Sequence, residues 1–383
     1  MKSSGKKDDI IQTVWNFDPK SLRPGDIVLE RGHSLTSKSI MAIDRGEYSH
    51  ALMWIDSANF IEAVDMGVRV ISYPRFFIVN PSDWILLRHP DPNIGRLAAT
   101  EARSFSHMKY GLGGAIATKI PGNWKTNPAA MFCSQVVAAA YENIGSPLVS
   151  KPSSKVSPND LMSSIVLEKV TPIPMIEKKI TEDEQKEIEK LLDRDHAYAG
   201  TNMARELEVS QEVYSLVYDL YPNLVIPPEH RLLCPPRNFD EALKVIRFLD
   251  WETASNISSL MLPALECRGY FDFLTYTLQE LTERLEDTNN YISARFGDRA
   301  EIIQIREHYS KNITPHNETA ERYLNMADHY DTLCKHIFTL PIFVRLERMY
   351  RSNASKISTI VNYERVLVAK CTERLNALDD FSD

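Results

Sequence analysis

Three residues of this 383-residue chain can be combined into thiol chemistry: Cys133 in AAMFCSQVVAAAYENIG, His50 in YSHALMWID and Glu62 in NFIEAV. A thiolate rather than a thiol attacks a carbonyl carbon. The free N–H groups at a helix N-terminus and a neighbouring imidazolium both favour the thiolate. Cys133 stands where an apolar, Ala-rich helix begins, so the sequence supplies the first of these. The second requires a base held close by.

His50 is the best base. The β-branched and aromatic runs at 49–55 and 59–64 predict two strands joined through DSAN. A hairpin centred near Asp56 sets Trp54 opposite Ala58, Leu52 opposite Phe60 and His50 opposite Glu62. Opposed residues share a sheet face, so the carboxylate can fix the ring's tautomer and stabilise the imidazolium. In this reading Cys133 is the nucleophile, His50 the proton carrier, Glu62 the residue that orients it, and the Cys133 amide the nearest oxyanion donor. Residue type and spacing alone also allow Cys133 to be an ordinary packing residue.

The elements that must position these groups fall in two textures. Up to about residue 175, short strands at 25–30, 49–55, 59–64, 68–72 and 83–89 alternate with helices at Leu35–Ile43 and Ile94–His107. The Cys133 helix follows, then a Pro-initiated short helix in VSPNDLMSS and a closing strand in IVLEKV. Beyond 176 the sequence is almost wholly helical, with segments expected at 202–221, 238–257, 259–287, 298–311, 317–337 and 341–377. The expected organisation is an N-terminal extension (1–20), an α+β domain (21–175) and an all-α domain (176–383) that can serve as a protein-binding module.

Composition limits the function. A net charge of −8 argues against nucleic acid as the main partner. Five scattered cysteines without a CxxC pair fit reduced thiols, not a disulfide framework. Cys234, Cys267, Cys334 and Cys371 have no base nearby in sequence and read as packing residues. His33, His89 and His107 lack HxxxH or HxH pairing, so no metal or other cofactor is expected. No apolar run reaches the ~20 residues of a membrane span, and no h-region follows the N-terminal lysines. A cytoplasmic protein is expected, with export by a signal-independent route left open.

The motifs LRPGDIVLERG, YSHALMWID…FIEAVDMGVRVISY, MKYG, FCSQVVAAAYENIG and VSPNDLMSS, in that order over residues 21–172, resemble the permuted papain-like amidases of the YaeF/YiiX type, within the NlpC/P60 superfamily of cysteine peptidase-like hydrolases. The permuted order, with His and acid before Cys, is the order here. The resemblance implies an antiparallel sheet with a packed Cys helix. It places the catalytic His at His50, the acid at Glu62 and the nucleophile at Cys133. Asp26 falls on a signature that closes a turn before the first core strand. Tyr110 lies where the family often carries a Tyr that assists oxyanion or substrate binding, and a role in packing at the end of the 94–107 helix is equally open. The resemblance implies peptide, N-acyl or lipid-amide substrates. An acyltransferase or lipid deacylase of the permuted lecithin:retinol acyltransferase-like type, or a non-catalytic binding module, are the alternatives.

Overall fold

The computed structural model describes residues 13–32, 41, 46–73, 76–111, 130–180, 182–192, 194, 198–228, 235–294 and 298–379. The elements in chain order are β1 (Thr13–Phe17), β2 (Ile27–Glu30), β3 (His50–Trp54), β4 (Asn59–Val64), β5 (Gly67–Ser72), β6 (Trp84–Arg88), α1 (Pro92–Arg103), β7 (Lys109–Tyr110), β8 (Ala130–Met131), α2 (Cys133–Asn143), α3 (Pro158–Met162), β9 (Glu168–Lys169), β10 (Met175–Lys179) and α4 (Glu182–Leu192). There follow α5 (Asn202–Val217), α6 (Phe239–Ile246), α7 (Trp251–Cys267), α8 (Phe273–Ser293), α9 (Arg299–His336) and α10 (Pro341–Asp379). The chain is thus mixed α+β, with an antiparallel sheet first and helices after it. The helix expected at Leu35–Ile43 lies outside the described residues, Met41 apart.

Six strands form one sheet in the order β5-β4-β3-β2-β6-β9, every pair antiparallel. Alternation gives it two apolar faces. Leu29, Ala51, Met53, Ile61 and Val68 point to one side, where α1 and α2 press Ala98, Ala102, Val136, Val137 and Ala140 against them. Small residues on both helices let their backbones approach the sheet closely. Val28, Leu52, Trp54, Phe60 and Leu86 point to the other side and meet Phe17, Phe76 and Trp84 in an aromatic cluster.

The Pro24–Asp26 turn locks the helices to this sheet. Asp26 is buried; its carboxylate accepts from Arg88 Nε at 2.7 Å and Nη2 at 2.6 Å, and from the Arg23 amide at 2.8 Å. Its place in the turn is structural, as the sequence motif implies. Gly25 adopts φ +93°, and a Cβ there would lie 2.4 Å from the Gly95 Cα of α1. Its carbonyl also accepts the Tyr141 hydroxyl of α2 at 2.8 Å.

The chain divides into compact units at Leu207/Glu208. The sequence places the boundary at 175, but β10 pairs with β1, and Tyr198, Ala204 and Leu207 pack with Met66 of the first unit. In the second unit α9 and α10 pack along one another. Glu364, whose side chain is fully buried there, meets His316 Nδ1 at 3.0 Å. The break expected between 311 and 317 does not occur. Pro315 sits inside a continuous α9, and the burial of Tyr309, Ala320 and Ala327 along that helix outweighs the ~3 kcal/mol a helical proline costs. The segment expected as one helix over 238–257 divides instead, because Asp250 caps the Thr253 amide and starts α7 anew.

Gly25→Ala is expected to lower stability by about 3 kcal/mol or more, through left-handed strain and collision with Gly95. The urea unfolding midpoint measures it.

Candidate thiol site

The β3–β4 hairpin sets the histidine and the glutamate on one face, in a register different from the expected one. Leu52 opposes Glu62 and Trp54 opposes Phe60. Asp56 Oδ1 accepts the Ala58 amide at 2.9 Å, an Asx turn that keeps 56–58 out of the ladder, and Ile55 N donates to Asn59 O at 2.9 Å to close it. The shift is two residues, so the face is preserved and the pair meets diagonally instead of directly. His50 Nε2 lies 2.7 Å from Glu62 Oε2.

Cys133 is the first residue of α2, and its neighbour Phe132 offers no side-chain cap to the helix end. Cys133 is buried. It hydrogen bonds with the His50 ring and accepts the backbone N–H groups of Ala51 and Ser134. Ala51 has its amide to spare because the paired register of β3 with β4 begins only at Leu52. With Nε2 engaged by Glu62, Nδ1 is the ring nitrogen left for the sulfur. The three residues predicted from the sequence therefore converge.

The charges agree with the geometry. Burial alone pushes the Cys133 thiol up, but the His50 imidazolium and the two amides outweigh it and bring it below its ordinary value. Burial pushes His50 down, yet the Cys133 thiolate and the Glu62 carboxylate raise it to about 10. Each shift favours the charged form of its group, thiolate on one side and imidazolium on the other. Cys334 and Cys371 behave oppositely, both pushed up by burial; Cys234 lies outside the described residues.

Sequence reading missed Arg69. It donates from Nε at 2.9 Å and Nη2 at 2.7 Å to Glu62 Oε1, leaving Oε2 for the histidine. Both side chains are buried. Burial raises the Glu62 carboxyl, but Arg69 and His50 more than reverse this and hold it far below the carboxylate range. A signal was available: Asp65–Met66 is a two-residue turn before Gly67 at φ +126°, which sets Glu62 directly opposite Arg69.

Asn159 was also missed. Its Oδ1 accepts the amides of Glu47 at 2.8 Å and Tyr48 at 3.0 Å, and its Nδ2 donates to Tyr48 O at 2.9 Å. Gly46 makes room for it, since a Cβ there would fall 2.0 Å from the Asn159 side chain. Ser157 caps α3 in a capping box with Asp160, and Ser134 Oγ donates to Val156 O at 2.7 Å. One short stretch thus ties the first turn of α2 to the segment leading into His50.

Tyr110 is half-buried on β7, which pairs in parallel with β8 just before Cys133. Burial, the Cys133 thiolate and Asp65 all raise its hydroxyl, which keeps it a proton donor. His89 packs on Tyr141 and accepts the Asp91 amide at 3.1 Å. His33 lies outside the described residues. Among the described residues no group of three or more His, Cys, Asp or Glu is placed to hold a metal ion, and no helix is long and apolar enough to cross a membrane.

No protein-family model and no curated protein matches the chain. Among solved structures it is weakly similar to the crystal structure of metalloprotein YiiX from Escherichia coli O157:H7, DUF1105, at 17% identity and a TM-score of 0.30, over 39% of this chain and 96% of that one.

Arg69→Met leaves Glu62 buried without its main counter-charge and is expected to cost about 3–5 kcal/mol at pH 7. Because Glu62 is held low, its stabilising share is complete above pH ~4.3 and drains away as the pH falls below that. The variant should therefore lose less on acidification than the parent chain, as read by urea unfolding at pH 7 and pH 4.

Proposed function

We propose that the chain is a thiol-dependent hydrolase of amide bonds, peptide or N-acyl, of the permuted papain-like kind. One observation carries this reading: a helix-end cysteine hydrogen bonded to a histidine whose other ring nitrogen is held by a buried carboxylate. The order His50, Glu62, Cys133 supports it, as does the contrast with the unactivated Cys334 and Cys371.

The Cys133 thiolate attacks the amide carbonyl carbon, and the carbonyl π pair moves onto oxygen. The oxyanion meets the first-turn N–H of α2 at Cys133, with the Tyr110 hydroxyl as a second donor. As the C–N bond breaks, imidazolium His50 gives its proton to the leaving amine, and a thioester remains on Cys133. Water then attacks the thioester while His50 takes its proton. Collapse releases the carboxylic acid and restores the ion pair. Glu62 stays ionised throughout and stabilises the imidazolium without accepting its proton. An acceptor alcohol or amine in place of water would turn the same thioester to acyl transfer.

Incubation of the full chain with mixed N-acyl amines and peptide amides should leave an acyl mass on Cys133, detected by intact mass, and release free acid. Cys133→Ala should carry no added mass. Glu62→Gln should lower kcat/KM about 10²–10⁴-fold. The pH–rate profile should hold a plateau through neutrality and fall near pH 10 as His50 deprotonates, a limb that moves to lower pH in Glu62→Gln. A parent chain that forms neither adduct nor product would sink the reading.

A further inference from the structure

The acid end of the site is covered by side chains from beyond the expected end of the papain-like domain. Arg69, which holds Glu62, has the Tyr198 ring across its guanidinium, 4.6 Å from Cζ to the ring centroid. Tyr198 is itself buried, its hydroxyl donates to Met203 O at 3.1 Å, and Thr201 Oγ1 donates to its carbonyl at 2.8 Å. A cation over an aromatic face is confined as well as attracted.

Arg194 makes a second contact of the same kind. Its Nη2 lies 2.5 Å from Glu30 Oε2, and its guanidinium sits over Phe76 and Trp84 at 5.1 and 5.5 Å. Glu30 is the β2 residue directly opposite His50, so its carboxylate is a rival to Glu62 for the imidazolium. Arg194 occupies that rival, and its charge also favours the ionised Glu62.

We propose that Tyr198 and Arg194 are positioning residues of the thiol site: Tyr198 confines Arg69 so that Glu62 stays aimed at His50, and Arg194 keeps Glu30 away from the ring. The segment after the sheet domain is then part of the reactive apparatus and not only a linker. This rests on the hydrolase reading for its purpose, but the thiolate–imidazolium pair it acts on can be measured without any substrate. The groups that face the pair are Glu62 on β4, Arg69 on β5, Glu30 on β2 and Arg194, with Tyr110 on β7 and Asp65 beside it.

The test is the pH dependence of iodoacetamide alkylation at Cys133 in the full chain, mapped by peptide mass, with the exposed Cys267 as an internal reference. Loosening the acid end weakens the imidazolium, so less of the pair stands as thiolate–imidazolium and Cys133 alkylates more slowly below the His50 midpoint. Tyr198→Leu, which keeps apolar bulk without a ring, and Arg194→Met should each react about three- to tenfold more slowly than the parent at pH 6. Tyr198→Phe and Arg194→Lys should stay within about twofold, since ring face and charge persist. Leu and Met variants whose profiles superimpose on the parent overturn the proposal while leaving the hydrolase reading intact. Tyr198→Phe as slow as Tyr198→Leu overturns it too, by moving the effect to the hydroxyl. A parent Cys133 profile matching that of Cys267 overturns the ion pair, and both readings with it.

Discussion

The candidate thiol site depends on one buried carboxylate shared by two basic side chains. Glu62 gives one oxygen to Arg69 and the other to His50. A lone carboxylate at that depth would take up a proton, and the histidine would then lose the charge that stabilises its protonated form. Arg69 prevents this from the side away from the sulfur. The arginine that makes burial of Glu62 tolerable thereby also keeps a charged carboxylate against His50.

The sheet and the helices divide the remaining work. The sheet aligns Glu62, Arg69 and His50 on one face by alternation alone, while α2 packs on the opposite face. The sulfur and the ring meet at the start of β3, where the ladder to β4 has not begun and the Ala51 amide is free for sulfur. A helix end, a ring and a strand amide converge there without any of them leaving regular structure. The Pro24–Asp26 turn, with Gly25 against Gly95 and under Tyr141, fixes both helices to the sheet that carries the histidine.

Much of this was legible in the amino-acid order. Cys133, His50 and Glu62 could be named as neighbours because thiol chemistry of the proposed kind requires particular residue types at the start of a helix and on adjacent strands. The register was off by two because the Asx turn at Asp56 lengthens the loop, and a two-residue error is harmless where an odd one would have turned Glu62 to the other face. Arg69 stayed hidden inside VRVIS, where an alternating charged residue reads as solvent-facing although it is buried. Asn159 could not be read at all: no local pattern tells an asparagine in a short helix that its partners are 111 and 112 residues away. Tyr198 and Arg194 lie in a stretch whose composition matches the helices that follow, so the change in texture near 175 set the boundary too early.

The Asn159 wedge carries a consequence for the order in which the molecule matures. Cys133, His50 and Glu62 all leave the ribosome before Asn159, and three hydrogen bonds to the backbone that leads into His50 await that side chain. Arg194 and Tyr198 come later still. A growing chain therefore carries Cys133, His50 and Glu62 well before the residues that brace the surrounding backbone.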